Sequence, residues 1–109
     1  MRRVVIESPY AGDVALNVKY ARACLKHSLS LGEAPLASHL LYTQVLDDKK
    51  PLERAQGIWA GIYWATQAEA VVVYTDLGVS HGMNEAIAKL EPLGVPVEYR
   101  TLPGWPSDP

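Results

Sequence analysis

The stretch Val71–Glu85, VVVYTDLGVSHGMNE, decides how the rest of the chain is read. Val71, Val72, Val73 and Tyr74 make a short, continuous apolar run that is mostly β-branched. Runs of this kind belong to strands buried on both faces of a parallel sheet, so this strand is expected at the centre. Thr75, Asp76, Gly78, Ser80 and Gly82 then end the strand, and Met83 to Leu90 reads as a helix. A strand, a Gly/Ser turn and a helix start gather backbone N–H groups and the positive end of a helix dipole at one point, which suits an anion or a sugar hydroxyl. Glu85, expected in the first turn of that helix, points into the same crevice.

Outward from this stretch the chain alternates strands and helices. Arg3 to Glu7 reads as the first strand, ending at Ser8-Pro9, where proline offers no ladder donor. The loop SPYAGD follows, and Asp13 is placed to cap a helix from Val14 to about Leu31, with Val14, Val18, Ala21, Leu25 and Leu29 as its buried stripe. Ala34 to Ala37 is a second, short strand, and Pro35 at its start implies an edge or near-edge position. Ser38 to Lys50 reads as a long irregular loop of the kind that carries function or moves. Pro51 opens a helix to about Thr66, with Leu52, Ala55, Ile58, Trp59 and Ile62 facing inward. Gly57 and Gly61 each cost this helix roughly 1 kcal/mol relative to alanine, which close packing or a ligand against the helix must offset. Val95 to Tyr99 forms the last strand. The tail from Thr101 to Pro109 is rich in proline and glycine, and Trp105 is its candidate for docking on the domain or on a second copy.

A β-α-β-α-β-α-β order with short connections implies an α/β, flavodoxin/Rossmann-like three-layer sandwich: a four-stranded parallel sheet, order 2-1-3-4, with helices on both faces. In that order the chain reverses between the first and third strands, and ligands bind outside the carboxyl ends of strands at such a switch point. The loops meeting there are SPYAGD and TDLGVSHGMNE.

The 109 residues make one domain, over residues 1–100, followed by the irregular tail 101–109. Ten Lys and Arg against twelve acids, with no basic stripe, argue against nucleic-acid binding by phosphate neutralisation. No apolar run reaches signal-peptide or membrane-span length, and the expected setting is cytoplasmic. The single Cys24 reads as a small buried apolar residue. Trp59, Tyr63 and Trp64 give one helix more aromatic surface than a single sheet face covers, which points to a homodimer or higher homo-oligomer.

Ser8, Pro9 and Tyr10 read either as a turn or as ligand contacts. Gly12 and Asp13 complete that loop, Asp13 first of all as a helix cap. His39 reads as a ligand or proton-transfer group or as an ordinary imidazole. Asp76, Gly78, Ser80, Gly82 and Met83 are the substrate-binding candidates of the second loop. Asp47 and Asp48 lack a second ligand cluster, so no metal is expected; Glu53 and Arg54 read as surface helix charges. The turn is neither a Walker loop nor a GxGxxG motif, so ATP and dinucleotides lose support, and no cofactor is expected.

At SPYAGD, HLLYTQ-LDD and D-G-S-GM…E-I-A the chain resembles a small bacterial and phage family of unassigned function, similar in fold to the nucleoside 2-deoxyribosyltransferases and deoxynucleoside 5′-monophosphate N-glycosidases. The resemblance implies chemistry at an N-glycosidic bond of a nucleoside or nucleotide: Glu85 as carboxylate nucleophile, Tyr10 orienting it, Ser80 and the turn binding a sugar hydroxyl or 5′-phosphate, and His39 or Asp76 handling the proton on the base. The resembled enzymes carry an acidic residue where this chain has Gly61. A non-catalytic module that sequesters a nucleotide in a phage setting is the alternative.

Overall fold

The computed structural model describes residues 1–106; Ser107 to Pro109, the end of the expected tail, lie outside the described residues. Four parallel strands, β1 (Arg3–Glu7), β2 (Ala34–Leu36), β3 (Ala70–Tyr74) and β4 (Val97–Arg100), form one sheet in the order β2-β1-β3-β4. Helices α1 (Val14–Ser30), α2 (Ser38–Leu41), α3 (Pro51–Ala65) and α4 (His81–Leu90) complete the chain. β3 is buried along its whole length, as its apolar run requires, with Val71 set against Val5 and Val97. Each such valine contributes roughly 1.5–3 kcal/mol by leaving water, which makes this strand the keel of the sheet.

Strand alternation sorts the core into two layers. Val4, Ile6, Val72 and Tyr74 face α1 and meet Tyr20 and Cys24; Val5, Val71 and Val73 face α3 and α4 and meet Ile62, Ala65, Met83, Ile87 and Leu90. Burial pushes the Cys24 thiol up to about 12, in keeping with a packing role.

Several local expectations are corrected. Of the stripe expected on α1 only Ala21 is buried, with Val18 and Leu25 half-buried and Val14 and Leu29 exposed; the buried face is Asn17, Tyr20, Ala21, Cys24 and Ser28. The rotation follows from polar residues that find partners inside. Asn17 Nδ2 donates to Tyr10 O and Ala11 O, and Ser28 Oγ donates to Glu33 Oε1. α3 likewise buries Gly61, Ile62 and Ala65 and leaves Leu52 and Trp59 in solvent. The expected loop Ser38–Lys50 opens with α2 and a 3₁₀ turn, Tyr42–Gln44. α4 starts at His81, capped by Ser80 Oγ, which accepts from Met83 N; Glu85 therefore sits in the second turn, not the first. In the tail, Trp105 packs edge-on against Tyr20, with ring centroids 4.9 Å apart.

The α1 face carries a charge cluster. Glu33 accepts from Arg100 through both carboxylate oxygens (2.8 and 2.9 Å), from Arg2 (2.8 Å) and from Ser28 (2.7 Å), and Arg100 foremost holds its carboxyl down at about 2. No helix among the described residues is long and apolar enough to cross a membrane.

Candidate functional site

At the carboxyl ends of β1 and β3, on the face covered by α3 and α4, lies a cavity of about 200 Å³. The end of β1 and the first loop supply Glu7, Ser8 and Tyr10; α2 and its 3₁₀ turn supply His39 and Tyr42; α4 closes it with Ser80, Gly82 and Met83. α3 forms the long wall, and its glycines explain how it comes so close. A Cβ on Gly61 would stand 2.4 Å from Ser38 Oγ and 2.8 Å from Ser38 Cβ, and one on Gly57 would stand 3.4 Å from Leu46 Cδ1. Packing of α3 against the α2 segment thus offsets what Gly61 costs the helix, where there is no room for a side chain, whereas Gly57 meets its neighbours at ordinary contact distance.

Within the cavity, Ser8 Oγ and His39 Nε2 are 2.7 Å apart. His39 is held down at about 4 by burial, so near neutral pH it is an uncharged imidazole. Glu7, the last residue of β1, lies opposite Val73 and on the same face as Val5, so period two aims it at the cavity between α3 and α4. Its carboxyl has no hydrogen-bond or ion-pair partner among the described residues, and burial pushes it up to about 8. At the mouth, Arg54 stands 3.8 Å from Asp48 and lies against the first turn of α4, where its guanidinium is 3.2 Å from the place a Cβ on Gly82 would take. Glu53 and Arg54 are therefore cavity groups and not plain surface charges. No cluster of three or more metal-ligating side chains stands together among the described residues.

The structure brings together Ser8, Tyr10, His39, Ser80, Gly82 and Met83 of the residues singled out from sequence. Others stand apart from the lining. Pro9 is buried beside it, Gly12 is in an exposed turn with φ of 101°, and Asp13 caps α1 by accepting from Leu16 N. Asp76 Oδ2 accepts from Tyr20 Oη (2.6 Å) and Leu102 N (2.8 Å), so this carboxylate ties α1 and the tail to the end of β3. Gly78, with φ of 85°, closes the turn behind it by donating to Thr75 O. Glu85 lies outside the lining; its carboxylate meets the exposed His81 at 3.1 Å and Lys89 at 3.9 Å along α4.

Glu7 was missed because a charged residue closing a strand reads as its solvent end. Its place opposite the all-buried β3 was the available signal.

Residues 2–100 match the model of DUF7768, a domain of unknown function. The chain belongs to this family. Among solved structures it is similar to the 2-deoxyribosyltransferase from the psychrotolerant bacterium Bacillus psychrosaccharolyticus, with a TM-score of 0.71 and 13% sequence identity over 91% of this chain and 72% of that one. The parallel order β2-β1-β3-β4 with helices on both faces is the fold this DUF7768 member shares with that enzyme. No curated protein matches the chain in sequence.

Proposed function

We propose that the cavity takes a nucleoside or nucleotide and that the protein acts on its N-glycosidic bond, as hydrolase or 2-deoxyribosyltransferase. The observation that carries this reading is the position of the cavity: it lies at the switch point between β1 and β3, in a fold shared with a 2-deoxyribosyltransferase. A volume of about 200 Å³ accommodates one ring of such a ligand, with the remainder reaching through the mouth. There Arg54, Ser80 and the start of α4 favour a phosphate or a sugar hydroxyl.

Glu85 is the nucleophile in this reading, and its side chain must leave His81 and Lys89 to act. Exposed pairs of that kind are worth about 1 kcal/mol or less each, so the rotation is inexpensive. A carboxylate attacking the anomeric carbon forms a glycosyl-enzyme, which water or a second base then resolves. Tyr10, which lines the cavity, orients that carboxylate.

The outward turn of Glu85 also favours a second reading, capture of the nucleotide without turnover. Incubation with deoxynucleosides, deoxynucleotides and NAD, followed by chromatography for free base, separates the two. Release of base that is abolished by Glu85→Gln supports the enzyme. A thermal shift with the same ligands and no free base supports capture, and neither response refutes both.

The working form in this reading is a homodimer joined through α3, where Leu52, Trp59, Tyr63 and Trp64 are all more than half exposed. Light scattering at two concentrations checks it.

A further inference from the structure

Breaking an N-glycosidic bond leaves an electron pair on a ring nitrogen of the base, and without a proton donor the base must depart as an anion. Any acid that supplies the proton must stand inside the cavity, hold its proton near neutral pH and be free of a competing partner. His39 fails the second condition, since burial keeps it unprotonated. Position 61 on the cavity wall is closed to any side chain by Ser38. Asp48 pairs with Arg54, and Glu53 accepts from Asp47 N. Asp76 faces Tyr20 and Leu102.

We propose that Glu7 is the general acid of this site, its unpartnered carboxyl at the end of β1 delivering a proton to the departing base. The inference rests on the N-glycosidic reading above and adds the residue that reading lacked. In the step, the bond from C1′ to the base nitrogen breaks and its electron pair goes to the base. The Glu7 proton moves to a ring nitrogen, a Glu85 carboxylate oxygen bonds to C1′, and Glu7 is left as a carboxylate. In the return step the oxygen of an incoming water, or a nitrogen of an acceptor base, bonds to C1′ as the C1′–Glu85 bond breaks and its electron pair returns to the Glu85 carboxylate, and Glu7 takes the proton that the incoming group gives up.

Three observations converge on this residue. Strand register aims Glu7 at the α3/α4 face beside the central strand, at the switch point. Its carboxyl reaches the cavity and has no partner among the described residues. The adjacent Ser8–His39 pair is neutral, so among the described residues no cation within hydrogen-bond reach draws the proton off, and desolvation holds the carboxyl protonated up to about 8. Two carboxyl groups in different surroundings, one half-buried at the cavity and one exposed, are how an acid and a nucleophile are separated on one scaffold.

The test compares two leaving groups. 2′-Deoxyguanosine 5′-monophosphate needs a proton on its base, whereas the 7-methyl derivative already carries the positive charge and leaves without one. Base release by the wild type, Glu7→Gln, Glu7→Asp and Glu85→Gln is followed by chromatography across pH 5–10. The expected result is that Glu7→Gln lowers release from the unmethylated nucleotide by about 10²-fold or more, and from the methylated one by less than about tenfold. Glu7→Asp recovers part of the loss, Glu85→Gln lowers both, and wild-type release from the unmethylated nucleotide falls as pH rises through about 8. Equal loss on both nucleotides with Glu7→Gln, or no loss on either, overturns the assignment of Glu7 while leaving the glycosidic reading in place. No release by the wild type from either nucleotide or from the deoxynucleosides, deoxynucleotides and NAD of the first assay overturns that reading and the assignment with it.

Discussion

Replacing Glu7 by glutamine tests the half-buried, desolvated carboxyl through folding alone, with no substrate required. The side chain is ordinarily half-titrated at 4.5 and in this fold at about 8. Between those values the native state holds a proton that the unfolded chain has released, so stability falls as pH rises, by about 1.4 kcal/mol per unit. His39 works in the opposite sense. Its ordinary value of 6.5 drops to about 4, so between these two values the unfolded chain holds the extra proton and stability rises with pH. The two slopes oppose each other below pH 6.5, and above it Glu7 acts alone. Wild-type stability is therefore expected to fall by about 2 kcal/mol between pH 6.5 and 8. For a domain of this size that corresponds to a drop in Tm on the order of 8 °C. Glu7→Gln removes the titrating group and flattens the curve over that interval, leaving the His39 rise at lower pH intact. Urea titrations at half-unit pH steps, with thermal melts alongside, provide the comparison. Parallel curves for wild type and variant above pH 6.5 would refute the argument, since they would mean that Glu7 ionises as freely in the fold as in the unfolded chain.

Three further outcomes follow from the packing. Gly61→Ala gains about 1 kcal/mol of helix propensity but meets Ser38, at a cost of about 1–3 kcal/mol; Ser38→Gly removes the obstruction, and a double-mutant cycle by urea denaturation should show a coupling above about 1 kcal/mol. Asp76→Ala takes away the acceptor for Tyr20 Oη and Leu102 N and should cost about 1–3 kcal/mol in denaturation, while binding of a nucleotide, read by calorimetry, stays within a few-fold of wild type. Glu33→Gln leaves two guanidinium groups poorly paired and should cost about 2 kcal/mol at pH 7; because this carboxyl is lowered from 4.5 to about 2, its contribution is present above pH 4.5 and lost as pH falls toward 2, so acid titrations of wild type and variant should converge there.

Much of the architecture was legible from local pattern. The valine run of β3 could satisfy its apolar side chains only between two helical layers, and Asp13 and Pro51 mark helix starts through chemistry confined to a few neighbouring residues, one as a cap and the other as a first residue that needs no N–H partner. Those features, with the right-handed crossover rule, are enough for the order β2-β1-β3-β4 and for the two loops that meet at its switch point.

The helix faces and half of the cavity were settled only by the tertiary structure. Which side of α1 turns inward depended on whether Asn17, Tyr20 and Ser28 would meet partners, and those partners, Tyr10 O, Asp76 and Glu33, come from other elements. Gly61 is explained by Ser38, and Glu7 by the helices that cover the end of its strand. Periodicity along a chain records the average polarity of a residue's surroundings. Whether a particular carboxyl meets water, an arginine or an empty hollow depends on groups distant in sequence, and the fold alone brought Glu7 to the cavity without a partner among the described residues.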